Sequence, residues 1–348
     1  MSSKVIHLIS SMSFGGRERQ LANILKTFPE HKAIVLNYKE HDYISDYDLK
    51  NVEYIKAKGF RNRVKSIHNI VKREKAQIIW SWGVIEVVIG LTFMFDRRVK
   101  HVNGSIRHGI LRINKKQISR LIMLHLSKYR VANSRAGLKA NFLQRGFVLN
   151  NGIDDRFFTT EERIKSKNTE IKNRSLQLVS VANFVPYKDY FTILSSLKKL
   201  KDQGYTFYYN VIGKGPMKER IQQEVNKLGL DKEVHLLGQR SDVESILKES
   251  DIFIHSSRGE GLSNAIMEAM ASGLPCIATS TGGTPELLPK EQLFSFQDHN
   301  KLYELLKIYF DSRTQIYDVG LQMYLKAKEK YSIKSMTSQY EKIIENIK

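Results

Sequence analysis

Short apolar runs alternate with longer helical patterns along almost the whole chain, and this alternation constrains the fold more than any other feature. Strand-like runs occupy Val5–Ile9, Ala33–Leu36, Val52–Ile55, Gln77–Trp82, Val99–Val102 and Tyr129–Ala132, and a second series occupies Leu176–Ala182, Thr206–Ile212, Val234–Leu237, Ile252–His255 and Pro275–Ala278. Helical patterns lie between them, among them Arg19–Thr27, Lys116–Ser127, Tyr190–Gln203, Met217–Leu228 and Asn264–Ser272. Strands joined through helices pair in parallel, with helices on both faces of the sheet. The near-continuous apolar character of the runs fits burial on both faces.

The series breaks once. Residues Asp155–Arg174 are polar, charged and aperiodic, and read as a linker or hinge. A chain of 348 residues is long enough for two domains. The expected architecture is therefore α/β, with doubly wound domains over 1–160 and 161–332. The last helix, Ile333–Ile347, is too far from any strand to be assigned by pattern, and packing back on the first domain is the arrangement considered. In open sheets of this class, ligands bind outside the carboxyl ends of the strands.

Charge is distributed unevenly. Residues 1–150 hold 28 Lys and Arg against 10 Asp and Glu, whereas residues 151–348 hold 28 against 26. So basic a half suits an anionic partner: nucleic acid, a phosphorylated ligand or an anionic membrane surface. The most apolar run, Ile78–Phe95, contains Glu86, Ser81 and two glycines, and reads as a buried strand and helix rather than a membrane span. The opening residues lack the basic and long apolar regions of a secretory signal. The single cysteine, Cys276, leaves no intrachain disulfide and suits a reducing compartment.

The strongest local signal is DIFIHSSRGEGLSNAIMEAMASG over Asp251–Gly273. A buried strand ends at His255. A loop with Gly259 and Gly261 follows, and a helix begins near Ser263 or Asn264, both good N-caps. The backbone amides of Leu262, Ser263 and Asn264 then lie at a helix N-terminus, where unpaired N–H groups and the dipole favour phosphate. Glu260 and Glu268 bracket the turn, and carboxylates accept hydrogen bonds from hydroxyls. The pair suits a polyhydroxylated phosphate ester such as a sugar nucleotide. The plainer alternative is that Glu260 only favours the helix start and Glu268 is solvated.

The run EGLSNAIMEAMASGLP resembles the E-x7-E motif of the retaining glycosyltransferases of family 4, the "group 1" glycosyltransferases. Other segments match in order: Ser13–Leu21 with its Gly15-Gly16 pair, Val131–Ser134, Asn151–Asp154, Val185–Asp189, Ile212–Pro216 and Gly282–Glu286. The resemblance spans nearly the whole chain. It implies the GT-B fold, in which two Rossmann-like doubly wound domains face each other across a cleft. It assigns the ribose to Glu268, the donor sugar ring to Glu260 and the distal phosphate to the amides of Leu262–Asn264. Lys188 would pair with the diphosphate and stabilise the leaving group, where charge grows in the transition state. Gly15 and Gly16 would bring the first domain's backbone to the phosphates. The segment Asn103–Gly109 adds Arg107 and His108 as candidates for catalysis or sugar binding, against the plainer reading of a basic solvent-facing loop.

One position departs from the pattern. The family places Arg five residues before the lysine, and this chain has Asn183, which keeps a donor but loses the charge and the bidentate fork. Gly213-Lys214-Gly215 lacks the third glycine of a dinucleotide fingerprint, because Lys218 stands there. It reads instead as a loop beside the nucleotide base, with Arg240 nearby. Asp46-Tyr47-Asp48 is a weak D-x-D match, and no His or Cys spacing points to zinc, so no metal is expected.

The expected activity is retaining, metal-independent transfer of a sugar from a UDP- or GDP-linked donor to a lipid-linked or oligosaccharide acceptor, in bacterial cell-envelope polysaccharide biosynthesis. No cofactor is expected beyond the donor substrate. The basic first domain is expected to dock on an anionic membrane surface from the cytoplasmic side, with Lys115–Ser127 as a candidate interfacial helix or an ordinary core-facing one. The alternatives are a sugar-nucleotide epimerase or hydrolase of the same shape and a nucleic-acid-binding protein. The latter lacks aromatic interleaving in the basic half.

Overall fold

The computed structural model describes residues 3–13, 15–38, 43–106, 115–171 and 174–347, apart from the side chains of 115–117, 120 and 168–170. The chain divides into two compact units, and it passes between them at Gly152/Ile153 and Ser332/Ile333.

The first unit is built on a seven-stranded parallel sheet of β1 (Val5–Ile9), β2 (Lys32–Val35), β3 (Val52–Tyr54), β4 (Ile78–Ser81), β5 (Lys100–Ile106), β6 (Tyr129–Ala132) and β7 (Phe147–Val148). The order is β3-β2-β1-β4-β5-β6-β7, so the winding reverses between β1 and β4. Alternation along β1 explains its uninterrupted apolar sequence. Val5 and Ile9 face a core shared with Leu21, Ile24 and the C-terminal helix. Ile6 and Leu8 face the opposite core, with Ile67, Ile70 and Ile89. The C-terminal helix, Ile333–Ile347, belongs to this unit and buries Met336, Tyr340, Ile343, Ile344 and Ile347.

The second unit has a six-stranded parallel sheet of β8 (Leu176–Val181), β9 (Phe207–Ile212), β10 (Val234–Gly238), β11 (Ile252–His255), β12 (Cys276–Thr279) and β13 (Leu293–Phe294). Its order is β10-β9-β8-β11-β12-β13, with the reversal between β8 and β11. Ile252 and Ile254 enter one core, and Phe253 enters the other.

The segment expected to be a linker is not one. Residues Glu161–Glu170 form a helix of the second unit, begun by Thr160, whose hydroxyl accepts from the Arg163 amide at 3.2 Å, with Glu161 and Glu162 in the first turn. Ile164 and Ile171 are buried, one heptad apart, and two apolar residues in so polar a stretch give no visible stripe. Strands β7 and β13 also escaped the pattern, since two residues cannot show a period.

Candidate active site

The carboxyl ends of β8 and β11 flank the reversal point of the second sheet, and their loops are laced together. The Asp189 amide donates to the Ser256 carbonyl at 3.1 Å, and the Arg258 amide donates to the Tyr187 carbonyl at 2.8 Å. Asp189 also caps the helix Tyr190–Asp202, accepting from the Thr192 amide at 3.2 Å and its hydroxyl at 2.6 Å. These bonds fix Lys188 above the end of β11.

Lys188, His255 and Glu260 form one cluster there. The Lys188 ammonium is ion-paired with Glu260 Oε1. His255 Nε2 lies 3.0 Å from Lys188 Nζ and 2.9 Å from Glu260 Oε1. Burial raises the Glu260 carboxyl, but the His255 hydrogen bond (joined by the ring's charge once it is protonated in acid) and the Lys188 ammonium outweigh that and hold it at about 2. Burial, reinforced by the Lys188 charge, lowers His255, so the imidazole is neutral at neutral pH. The cluster is thus a lysine ammonium neutralised by one carboxylate and flanked by an uncharged ring.

Glu260 is positioned from behind by the loop after β12. Gly282 has φ +54°, and a Cβ there would lie 1.8 Å from the Glu260 carbonyl oxygen. The Gly283 amide donates to the Gly261 carbonyl at 3.1 Å. The helix Asn264–Ala271 begins at Ser263, whose side chain makes no capping bond. Leu262 and Ser263 are buried, Asn264 is half-buried, and Glu268 is 6% exposed within the helix. Gly273, at φ +76°, closes the helix.

The remaining candidates are more dispersed. Asn183 is exposed on the loop after β8, and Gly213 passes so close that a Cβ would meet the Ala182 carbonyl oxygen at 2.0 Å. Arg240 is exposed and held by Asp242 through bonds of 2.8 and 2.6 Å. Gly15 and Gly16 belong to the first unit, where Gly15 caps the helix Gly16–Thr27 and the buried Glu18 carboxylate folds back beside it. Arg17 donates to Glu18 at 2.7 Å and to the Trp82 carbonyl at 3.3 Å. Arg107 and His108 lie outside the described residues. Among the described residues, no group of three or more His, Cys, Asp or Glu is placed to hold a metal ion.

Sequence reasoning missed His255 as a member of the cluster. Its only signal was a polar residue ending the strand IFIH, immediately before the glycine-rich loop.

Residues 161–314 match the glycosyl transferases group 1 family. The chain carries a group 1 glycosyltransferase domain. It is 24% identical over 307 residues to the putative glycosyltransferase EpsF of Bacillus subtilis, which covers 80% of this chain and 79% of that protein. It is 29% identical over 150 residues to the UDP-Gal:alpha-D-GlcNAc-diphosphoundecaprenol alpha-1,3-galactosyltransferase of Escherichia coli, covering 41% of this chain and 39% of the relative. The fold matches Anabaena HepE, solved with UDP, at a TM-score of 0.84 and 18% identity, across 99% of this chain and all of that one. HepE has also been solved with UDP-glucose. The architecture is accordingly the two-domain α/β GT-B fold, with two Rossmann-like sheets.

Proposed function

We propose that this glycosyltransferase domain moves a sugar, with retention, from a UDP-linked donor to a lipid-linked or glycan acceptor in the assembly of a cell-envelope polysaccharide. The observation that carries the reading is the Lys188–His255–Glu260 cluster at the carboxyl end of β11, eight residues before the buried Glu268. The donor and acceptor classes are supported by the UDP-glucose bound to HepE and by the UDP-Gal and diphosphoundecaprenol in the name of the Escherichia coli relative.

The cluster suits a departing diphosphate. Before the donor arrives, the Lys188 charge is satisfied by Glu260. On binding, the ammonium exchanges that carboxylate for a diphosphate oxygen, and Glu260 is released to accept hydrogen bonds from sugar hydroxyls. As the glycosidic bond breaks, negative charge grows on the diphosphate and the fixed ammonium stabilises it. The amides of Leu262–Asn264 add donors at the helix start, and no metal ion is called on for this neutralisation. Glu268 takes the ribose hydroxyls. Asn183 offers an uncharged donor where the resemblance expects a guanidinium, so Lys188 carries the larger share of the charge. Enzyme and donor meet on the cytoplasmic side of the membrane.

Thermal shift with UDP, GDP, ADP and their hexose conjugates tests the reading. UDP and one UDP-sugar raise the melting temperature of the wild type, and Glu268→Ala abolishes the shift. A ligand at a hundred times its Kd adds about 2.7 kcal/mol. Equal shifts with all bases, or a shift that survives in the variant, would place the nucleotide elsewhere.

A further inference from the structure

Eight of the sixteen large apolar side chains exposed among the described residues belong to two helices of the first unit and the turn that follows the first of them. The helix Val84–Leu91 presents Val84, Ile85 and Val88. The turn that follows presents Met94 and Phe95, the latter 88% exposed. The neighbouring helix, Lys115–Leu126, presents Ile118, Ile122 and Leu126, a stripe at spacing i, i+4, i+8, while its Leu124 is fully buried on the opposite side. This second helix is therefore apolar on two faces, and only one of them is used by the core. Single exposed apolar residues need no explanation, but a continuous set on adjacent elements does.

The surroundings are cationic. Met94 and Leu126 line a groove of about 290 Å³ together with the exposed Arg97 and Lys128 and with Lys100; the acid on its wall, Asp96, is paired with Arg98. The sequence from Arg97 to Arg145 contains no Asp or Glu. No helix of the described residues is long and apolar enough to cross a membrane. Apolar side chains flanked by Lys and Arg are the pattern of a surface that inserts shallowly into an anionic bilayer. A second copy of the chain is disfavoured, because a two-fold contact would set the same cations against each other.

We infer that this face of the first unit docks on an anionic lipid bilayer, with Phe95, Ile118, Ile122 and Leu126 entering the headgroup–acyl boundary and Arg97 and Lys128 pairing with lipid phosphates. This deepens the proposed function, since a lipid-linked acceptor is presented at such a boundary, but it rests on the surface alone.

Co-sedimentation of the full chain with vesicles tests it, using phosphatidylcholine with and without 30–40% phosphatidylglycerol (an order-of-magnitude anionic fraction chosen to raise the surface potential). Wild-type protein binds the anionic vesicles. Phe95→Ser with Ile122→Ser lowers the bound fraction about ten-fold at low and high salt, because the apolar contribution is lost. Arg97→Gln with Lys128→Gln lowers it at low salt only. Circular dichroism and the UDP thermal shift of each variant stay at wild-type values, so loss of vesicle binding is separable from failure of the donor site. Three outcomes overturn the inference: no vesicle binding by the wild type, undiminished binding by the serine variant, or a wild-type dimer that the serine variant converts to a monomer.

Discussion

Lys188, His255 and Glu260 illustrate how a site can be half legible at the scale of single residues. The spacing of Glu260 and Glu268 and the presence of Lys188 are sequence facts, whereas the contact of Lys188 with His255 depends on two loops meeting. The unliganded ion pair has a consequence for binding. Glu260→Gln removes the carboxylate that competes with the diphosphate for Lys188. UDP alone should then bind about five- to ten-fold more tightly, worth about 1–1.4 kcal/mol, while turnover falls because the sugar hydroxyls exchange a charged, two-oxygen acceptor for a neutral amide. Calorimetric titration with UDP, beside a transfer assay, checks both parts, and weaker UDP binding would mean that Glu260 holds the nucleotide rather than the lysine. The complementary change, Lys188→Met, leaves Glu260 buried without its cation. The Glu260 carboxyl is held at about 2 in the fold and titrates near 4.5 when unfolded. The stabilisation is therefore complete above pH 4.5 and is lost as pH falls from 4.5 toward 2. His255 is the larger cause of the Glu260 depression, so the stability gap between wild type and Lys188→Met should be only about 1–2 kcal/mol near pH 8. It should narrow as pH falls, first as His255, freed of the Lys188 charge, takes a proton beside Glu260 in the variant, and then as Glu260 itself protonates. Urea titrations at four pH values measure it.

Between residues and domains, elements place the site by close backbone approach. The loop after β12 supports Glu260 only because Gly282 has no side chain, as the 1.8 Å contact of an added Cβ shows. Gly282→Ala has to move the Glu260 backbone, and it also strains a positive φ. It should cost roughly 3 kcal/mol or more and weaken UDP binding at the same time. Gly204→Ala is the control: its φ is +85°, but nothing lies within 4 Å of the added atom, so it should cost only about 1 kcal/mol and leave UDP binding alone. Chemical denaturation and UDP thermal shift on the pair separate strain from collision. The sequence announced the Gly282-Gly283 pair only through the resemblance, because glycine spacing carries no record of which carbonyl lies opposite. The helix Glu161–Glu170 was hidden for the converse reason. Its capping threonine and first-turn acids were present in the sequence, but its buried contacts, Ile164 against Gly273 among them, come from elements a hundred residues away.

At the scale of the whole molecule, alternation alone was enough to place two parallel sheets, whereas the helix at the chain's end could not be assigned by pattern, and its return to the first domain, the arrangement considered from the sequence, is the one the structure has. The helix Ile333–Ile347 returns to the first unit around a buried imidazole. Trp82 Nε1 donates to His7 Nδ1 at 3.1 Å, so the proton of the neutral ring is on Nε2, which lies 3.0 Å from the Tyr340 hydroxyl. Burial, with help from the charge of His31, pushes His7 well below its ordinary range. Burial likewise lowers His31 and His101 to about 4, and all three belong to the first unit, whereas the second unit keeps one such ring, His255, beside the Glu260 carboxylate. In the unfolded chain each would take a proton near 6.5. Between 6.5 and about 4 the unfolded state therefore binds more protons than the folded one, and stability declines as pH falls through that window. The slope is about 1.4 kcal/mol per pH unit for each histidine kept neutral. The first unit should consequently open before the second on mild acidification. Hydrogen exchange from pH 7 to pH 5 should accelerate in peptides from β1 and the C-terminal helix, while those from β8 and β11 change less. His7→Gln can still accept from Trp82 and donate to Tyr340, and it should reduce the pH slope without removing the helix. Ending the chain at Ser332 should expose β1 to exchange already at pH 7. Uniform acceleration across both units would show instead that they unfold as one cooperative body and that the three histidines do not set the order.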